Sequence, residues 1–159
     1  MRPKNLPKYI EIYNLPFHDD ENVDELVQKV AEKLNLQTDG IKNSRRLKGR
    51  EDRVGNIEVV LNGKNIQEQW IAMAKNTSIT VTDIMPEENN KKVVYVREKM
   101  SLLNKAILWH AKQELKIKHN YKYVWFKKGV VKACKEDNGK VYYLKTLEDV
   151  YRLSQKTTV

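Results

Sequence analysis

Residues 8–34, KYIEIYNLPFHDDENVDELVQKVAEKL, set the plan of the first half of the chain. Residues 9–15 are rich in β-forming side chains and stop at Pro16, which has no amide to extend a ladder, so they predict a strand. Asn22 and Glu25 form a capping box, and the apolar residues after it recur at three- and four-residue spacing, which predicts an amphipathic helix. A strand followed directly by a helix indicates a mixed α/β fold.

The residues that follow predict four more elements of a first domain, residues 8–85. These are strands at 41–48 and 55–61 joined by a charged hairpin, a helix capped by Asn65 and Glu68, and a strand at 78–84. The order β-α-β-β-α-β is the split βαβ plan, in which two helices cover one face of a four-stranded antiparallel sheet. We therefore predict an α+β protein whose first domain is ferredoxin-like, with one sheet face left open.

A polar linker at 86–92 and a small second domain at 93–159 complete the predicted organisation. The second domain is predicted to contain a strand, a long helix, a β-meander and a closing helix. The strand is at 93–96, the helix runs from Ser101 to about Lys118 with Leu103, Ile107, Ala111 and Leu115 inward, the meander turns at Lys128-Gly129 and Asn138-Gly139, and Thr146 with Asp149 caps the last helix.

Composition excludes several classes of protein. The chain has 159 residues, of which 40% are hydrophobic, and no apolar run is long enough to span a membrane, so we expect a globular protein with no membrane partner. The N-terminus lacks the apolar stretch of a signal peptide, and the single Cys134 excludes an internal disulfide or a zinc cluster. We expect an intracellular location, in the cytoplasm, the nucleus or both.

The net charge of +9 is unevenly distributed along the chain. Residues 1–90 contain 13 Lys and Arg against 15 Asp and Glu, which gives −2, whereas residues 91–159 contain 17 against 6, which gives +11. A polyanion such as nucleic acid would relieve the self-repulsion of the second segment and release its own counterions. The alternative is a Lys-rich surface that serves solubility alone.

The predicted nucleic-acid contacts are basic residues in two clusters. The first cluster, on the second strand and the hairpin after it, is Arg45, Arg46, Lys48, Arg50 and Arg53. The second cluster is Lys91, Lys92, Arg97, Lys99, Lys122, Lys127, Lys128 and Lys132. Arginine forks onto phosphate oxygens or stacks on bases, and lysine adds affinity without sequence readout. A solvated strand face is the alternative interpretation of the first cluster.

Aromatic residues are interleaved with the lysines of the meander. They are Tyr121, Tyr123, Trp125, Phe126, Tyr142 and Tyr143. A basic surface with aromatic side chains suits sequence-tolerant binding of single strands, because the cations follow the backbone and a ring stacks on any base. The period of two in a strand also sends alternate residues into the core, and we expect most of Tyr123, Trp125 and Tyr143 to pack there.

Two strands of the first domain resemble the signatures of RNA-recognition-motif domains. IEIYNL at 10–15 is similar to RNP2 and GNIEVVL at 55–61 can be aligned with RNP1, but Glu11 and Glu58 stand where stacking aromatic residues are usual. A carboxylate has no ring and repels phosphate, so we expect nucleic acid to avoid this sheet face. A ferredoxin-like domain that binds no RNA is the alternative.

Residues 93–150 resemble the C-terminal region shared by the baculovirus few-polyhedra proteins and related retrotransposon-derived insect proteins, most specifically in 121–150. The order of the two domains is also similar to the first open-reading-frame protein of LINE-type retrotransposons. That resemblance implies an RNA-binding, chaperone-like ribonucleoprotein component with nucleic acid in a basic cleft between the domains. Arg45, Arg46, Arg50, Arg97, Lys99, Lys122 and Lys128 occupy the corresponding elements here.

Both families also imply a homo-oligomer formed through an upstream coiled coil, which this sequence lacks, so we expect a C-terminal fragment or a truncated relative. The predicted function is sequence-tolerant binding of single-stranded RNA or DNA, with RNA favoured, within a retrotransposon- or virus-derived ribonucleoprotein. The alternative is a protein-interaction or viral structural module whose basic surface meets an acidic partner. We expect no enzyme, no cofactor and no metal, because the three histidines lack ligand spacing and no nucleophile motif occurs.

Overall fold

The structure is a computed structural model that describes residues 6–157. It is a mixed α/β protein with two antiparallel sheets and, within the described residues, five α-helices. The chain divides into two compact units, Met1–Lys99 and Met100–Val159. The sequence-based boundary at 86–92 falls inside the first of these units.

The first unit contains a four-stranded sheet with the strand order β2-β3-β1-β4. Its elements are β1 (Lys8–Tyr13), α1 (Val23–Lys33), β2 (Ile41–Arg46), β3 (Ile57–Leu61), α2 (Lys64–Asn76), α3 (Val81–Ile84) and β4 (Tyr95–Glu98). One sheet face, including Ile10, Ile12 and Val59, shares a buried core with the helices, and Trp70 of α2 is almost fully enclosed there. The alternate residues form the opposite face, which carries charged and aromatic side chains.

The two predicted capping boxes of this unit differ in outcome. Asn22 caps α1 as expected, since its Oδ1 accepts a hydrogen bond of 3.2 Å from the Glu25 amide. The box predicted at Asn65 and Glu68 is wrong, because α2 begins at Lys64 after Gly63 and has no side-chain cap. Gly63 has φ 115°, a backbone conformation that favours glycine, so the turn geometry sets this helix start.

The fourth strand of the sheet is not where the sequence placed it. Residues 78–84 do not form a strand, because Thr80 and Asp83 start the short helix α3 and the Asp83 carboxylate accepts a 2.8 Å hydrogen bond from the Thr80 amide. The strand predicted at 93–96 lies at Tyr95–Glu98, and it pairs with β1 in the first unit. The alternating apolar residues of 78–84 fit a helical turn as well as a strand. Long-range pairing with β1 determines which segment becomes the fourth strand.

The second unit has the predicted order of a long helix, a β-meander and a closing helix. Its elements are α4 (Leu102–Ala111), which continues as a π-helix over Lys112–Ile117, then β5 (Tyr123–Lys127), β6 (Val130–Cys134), β7 (Val141–Leu144) and α5 (Leu147–Thr157). The meander and the reciprocal capping box of Thr146 and Asp149 are confirmed. Ile107, Ala111 and Leu115 are buried as expected, but the prediction for Leu103 is wrong because its side chain is exposed.

Candidate nucleic-acid interface

The sheet of the second unit presents one face of aromatic and basic side chains. Strand register places Trp125 opposite Lys132 and Lys132 opposite Tyr143, so these three residues form a row across β5, β6 and β7. Tyr123 lies on the same face, two residues before Trp125. We call Tyr123, Trp125, Lys132 and Tyr143 the meander face. Tyr143 is its most accessible ring, with 58% of the residue exposed.

The opposite face of the meander packs in the core of the second unit. Its residues are Val124, Phe126, Val131, Ala133, Tyr142 and Leu144, and they contact the cluster that contains Ile107 and Leu115. The predicted alternation of inward and outward side chains is therefore confirmed. The predicted placement of Tyr123, Trp125 and Tyr143 in the core is wrong, because all three lie on the opposite face of the meander. Each side chain from 123 to 126 suits either a core or a surface position, so the sequence does not decide which alternate set faces the core. In the structure the smaller Val and Ala side chains pack against each other beneath the helices.

Lysines surround the rings of the meander face. The Lys132 ammonium lies 5.3 Å from the centroid of the Tyr143 ring, and the Lys122 ammonium lies 5.4 Å from that of Tyr123. Both distances are within cation–π range. Lys127 and Lys128 are exposed where β5 turns into β6. The structure thus brings together four predicted contact residues, Lys122, Lys127, Lys128 and Lys132, around exposed aromatic side chains.

One carboxylate interrupts this basic surface. Asp137 accepts a 2.7 Å hydrogen bond from Lys122, and the Tyr123 hydroxyl also donates to it. The hydrogen bond from Lys122 lowers the pKa of the Asp137 carboxyl, and the same bond raises the pKa of the Lys122 ammonium. Both side chains are exposed, so water screens the pair and it contributes little to stability.

The hairpin between β2 and β3 has a hydrogen-bonded turn and a mixed charge. Arg50 and Arg53 exchange two backbone hydrogen bonds of 3.1 and 2.8 Å around the turn. A Cβ added at Gly55 would lie 1.8 Å from the Leu47 carbonyl oxygen, so glycine is required where the two arms approach. The exposed charged residues of this hairpin arm, residues 47–56, are Lys48, Arg50, Glu51, Asp52 and Arg53.

Arg46 is not available to an external ligand. Its side chain is 11% exposed, and its guanidinium forms a bidentate ion pair with Glu21 at 2.7 and 3.0 Å. It also donates to the carbonyl oxygens of Leu15, Pro16 and Gly55. These contacts use all five guanidinium donors. Arg46 therefore fastens β2 to the segment after β1, and we leave it out of the proposed contacts.

Arg45, the neighbouring residue, points to the other side of the sheet. Its side chain is 68% exposed, and its Nε donates a 3.0 Å hydrogen bond to Glu58. Lys99 donates to the other carboxylate oxygen of Glu58. Burial raises the pKa of Glu58, but the hydrogen bonds and charges of Lys99 and Arg45 outweigh it, so the pKa is lower than usual. Glu58 is thus a paired carboxylate and not an exposed one.

Three tyrosines share this side of the first sheet, and the sequence analysis did not single them out. Tyr13 of β1 pairs with Tyr95 of β4, and Tyr9 lies further along β1. The Arg97 guanidinium lies 5.2 Å from the Tyr13 ring centroid and 4.7 Å from that of Tyr95. The alternation Tyr9, Glu11, Tyr13 was the available signal, since a period of two places all three on one face.

The remaining predicted contacts, Lys91 and Lys92, are exposed in the segment that leads to β4. Asn90 holds this segment, because its side-chain oxygen accepts a 2.9 Å hydrogen bond from the Lys92 amide. Within residues 6–157, none of the helices combines the length and the apolar character needed to cross a bilayer.

Comparison with protein-family models gives two matches that together span nearly the whole chain. Residues 7–100 match Baculovirus FP protein domain 1, and residues 101–154 match Baculovirus FP protein domain 2. The boundary between the matches agrees with the division of the structure after Lys99. No curated protein matches the sequence. The chain belongs to the baculovirus FP, or few-polyhedra, protein family.

Proposed function

We propose that this chain binds single-stranded nucleic acid with little sequence preference, RNA favoured, as a component of a viral ribonucleoprotein. The observation that carries the proposal is the meander face, where Trp125, Lys132 and Tyr143 form one row of exposed or partly exposed side chains. An aromatic ring stacks on any base, and a neighbouring ammonium pairs with the backbone phosphate. Such a row provides affinity without base-edge readout.

The charge around the meander face supports the same function. Strands β5, β6 and β7 contain no Asp or Glu. Lys127 is the last residue of β5, and Lys122 and Lys128 flank that strand. Neutralising several phosphates releases condensed counterions, so binding of this kind weakens steeply as salt rises. The +11 charge of residues 91–159 is consistent with a polyanionic partner.

We further propose that the first unit is an RNA-recognition-like, ferredoxin-like domain, related in plan to the LINE first open-reading-frame proteins. The strand order β2-β3-β1-β4 with helices packed in one core against one sheet face supports this assignment. Comparison with a solved domain of that class by backbone superposition tests it.

The direct test of the function is the affinity of the full chain for a single-stranded oligouridylate, measured by fluorescence anisotropy at several salt concentrations. Tyr143→Ala removes the most accessible ring and is expected to weaken binding about five- to 150-fold. Tyr151→Ala is the matched control, since Tyr151 is also an exposed tyrosine but lies on α5. Equal affinities for the two variants would contradict the proposal.

A protein-interaction module is the second candidate function, favoured by a separate surface. Leu102 and Trp109 lie seven residues apart on one side of α4, Ile117 follows in the π-helix, and all three are exposed. Exposed apolar side chains that share one helix face, as Leu102 and Trp109 do, are typical of a contact site for another protein. If Trp109→Ser abolishes partner capture from nuclease-treated lysate and leaves RNA affinity unchanged, this function is supported.

A further inference from the structure

The open face of the first sheet contains a row of four charged residues in strict register. Arg45 pairs with Glu58, Glu58 with Glu11, and Glu11 with Arg97, across β2, β3, β1 and β4. Two carboxylates therefore stand side by side between two guanidinium groups. Like charges in directly opposite positions destabilise a sheet unless cations or hydrogen-bond donors neutralise them. The net charge of this face therefore depends on the partners of the two carboxylates.

The two carboxylates are compensated within the face and are shielded from solvent. Glu58 and Glu11 are only 4% and 3% exposed. Glu58 accepts hydrogen bonds from Arg45 and Lys99, and Glu11 accepts one of 3.1 Å from the Tyr13 hydroxyl. With Arg97, the face has three cations for two carboxylates, so it does not present a net negative charge to an approaching phosphate.

The side chains that remain accessible on this face are aromatic and basic. Tyr95 and Tyr9 are each 43% exposed, and Arg97 is exposed beside Tyr95. Arg97 lies within cation–π distance of both Tyr13 and Tyr95, which pair directly across β1 and β4. Tyr9 lies four residues from Tyr13, about 13 Å away along the strand, with the Lys99 ammonium 5.8 Å from its ring centroid.

We propose that this surface, which we call the tyrosine face (Tyr9, Tyr13, Tyr95 and Arg97), is a second stacking site for single-stranded nucleic acid. An unpaired base stacks on Tyr95 and on the Arg97 guanidinium, which Tyr13 orients, and the one cation in excess of the two carboxylates favours the phosphate backbone. The site is displaced from the Glu11 and Glu58 positions toward the β4 edge. This inference rests on the proposed function, and it departs from the sequence-based expectation that nucleic acid avoids this sheet face.

Charge complementarity and ring chemistry favour nucleic acid over an apolar partner here. The exposed groups are tyrosine hydroxyls, guanidinium and ammonium groups, and no large aliphatic side chain is exposed on the described strands of this sheet. A protein partner would use Tyr95 as an apolar anchor and would tolerate leucine in its place. A stacked base would not, because leucine lacks a π face.

The experiment uses the full chain and a single-stranded oligouridylate that contains 4-thiouridine. We expect photocrosslinks to peptides that contain Tyr13 or Tyr95, in addition to peptides of the meander face. We expect Tyr95→Leu to weaken binding at least about fivefold and Tyr95→Phe to bind within about twofold of wild type. Thermal unfolding of each variant checks that the exposed edge position leaves the fold intact.

The outcomes separate this inference from the proposed function. One outcome overturns only the proposal that the tyrosine face binds nucleic acid. In that outcome the wild type binds and Tyr143→Ala weakens binding, but the first sheet gives no crosslink and Tyr95→Leu keeps full affinity. Absence of wild-type binding at low salt overturns the proposed function and the inference with it. Full affinity in Tyr95→Leu together with a crosslink at Tyr95 also overturns the inference, since proximity without an energetic contribution is not a stacking site.

Discussion

The two sheets reach a similar surface chemistry by different routes. The strands of the meander contain no acidic residue, so Trp125, Lys132 and Tyr143 form their row with no carboxylate to neutralise. The first sheet places Glu11 and Glu58 in its centre, where they accept hydrogen bonds from Tyr13, Arg45 and Lys99. A carboxylate at a stacking position therefore does not by itself make a surface acidic, because its neighbours determine which groups are exposed to solvent.

The largest expected effect separates the arginine that supports the first sheet from the arginine exposed on it. Arg46→Ala leaves the buried Glu21 carboxylate without its partner and should lower the free energy of unfolding of the first unit by about 3–5 kcal/mol. Arg45→Ala is the matched control and should cost less, because Arg45 is exposed and Lys99 still donates to the buried Glu58 carboxylate in the variant. Urea unfolding followed through the NMR signal of the buried Trp70 indole measures both values. Equal losses would refute this division of roles.

The next effect tests whether both faces contribute to one binding event. Tyr143→Leu and Tyr95→Leu should each weaken oligouridylate binding by about 1–3 kcal/mol, because each removes one stacking ring. The faces lie on separate sheets, so the losses in the double variant should add to within about 0.5 kcal/mol. Anisotropy titrations at one salt concentration provide the comparison. A double variant no weaker than Tyr143→Leu would confine binding to the meander face.

A smaller effect concerns acid stability of the first sheet. The pKa of Glu58 is lowered in the fold, so its stabilisation is present above its unfolded pKa of about 4.3 and is lost as the pH falls through the lower folded pKa. Glu58→Gln lacks this component. The stability difference between wild type and variant should therefore narrow as the pH is lowered from 7 toward 3. Urea unfolding at each pH measures it, and a constant difference would contradict the ion pairing.

The smallest effect has the opposite sign. Asp137→Asn releases Lys122 from its ion pair and removes a negative charge beside Tyr123, so RNA affinity should rise by about twofold at low salt. Stability should change by less than about 0.5 kcal/mol, because both side chains are exposed. Anisotropy and thermal unfolding of the variant check the two values. Weaker binding would show that Asp137 supports the meander face instead of competing for it.

Local signals in the sequence predicted a large part of this fold. Asn22 caps α1, Thr146 and Asp149 cap α5, and the meander turns near Asn138-Gly139, because each feature depends only on neighbouring residues. The fourth strand was misplaced because pairing between β4 and β1 joins segments more than eighty residues apart. Propensity alone carries no information on such a contact.

The candidate site was less predictable than the fold. The basic residues could be named, but their partners could not, since Arg46 meets Glu21 through a contact across 25 residues. The sequence also did not determine which side chains of β5 face the core. Its run of four aromatic or branched residues would suit the core with either alternate set turned inward. Packing against α4 and α5 determines which set turns inward and exposes the rings that the sequence analysis had assigned to the core.

The most direct test of the central claim is the salt dependence of binding of the full chain to a single-stranded oligouridylate. The logarithm of the association constant should fall linearly with the logarithm of salt between about 50 and about 200 mM, with a slope near −0.7 for each neutralised phosphate. Lys132→Gln should reduce the magnitude of that slope by about 0.7 if Lys132 contacts one phosphate. No binding at about 50 mM salt, or a slope near zero, would contradict the account.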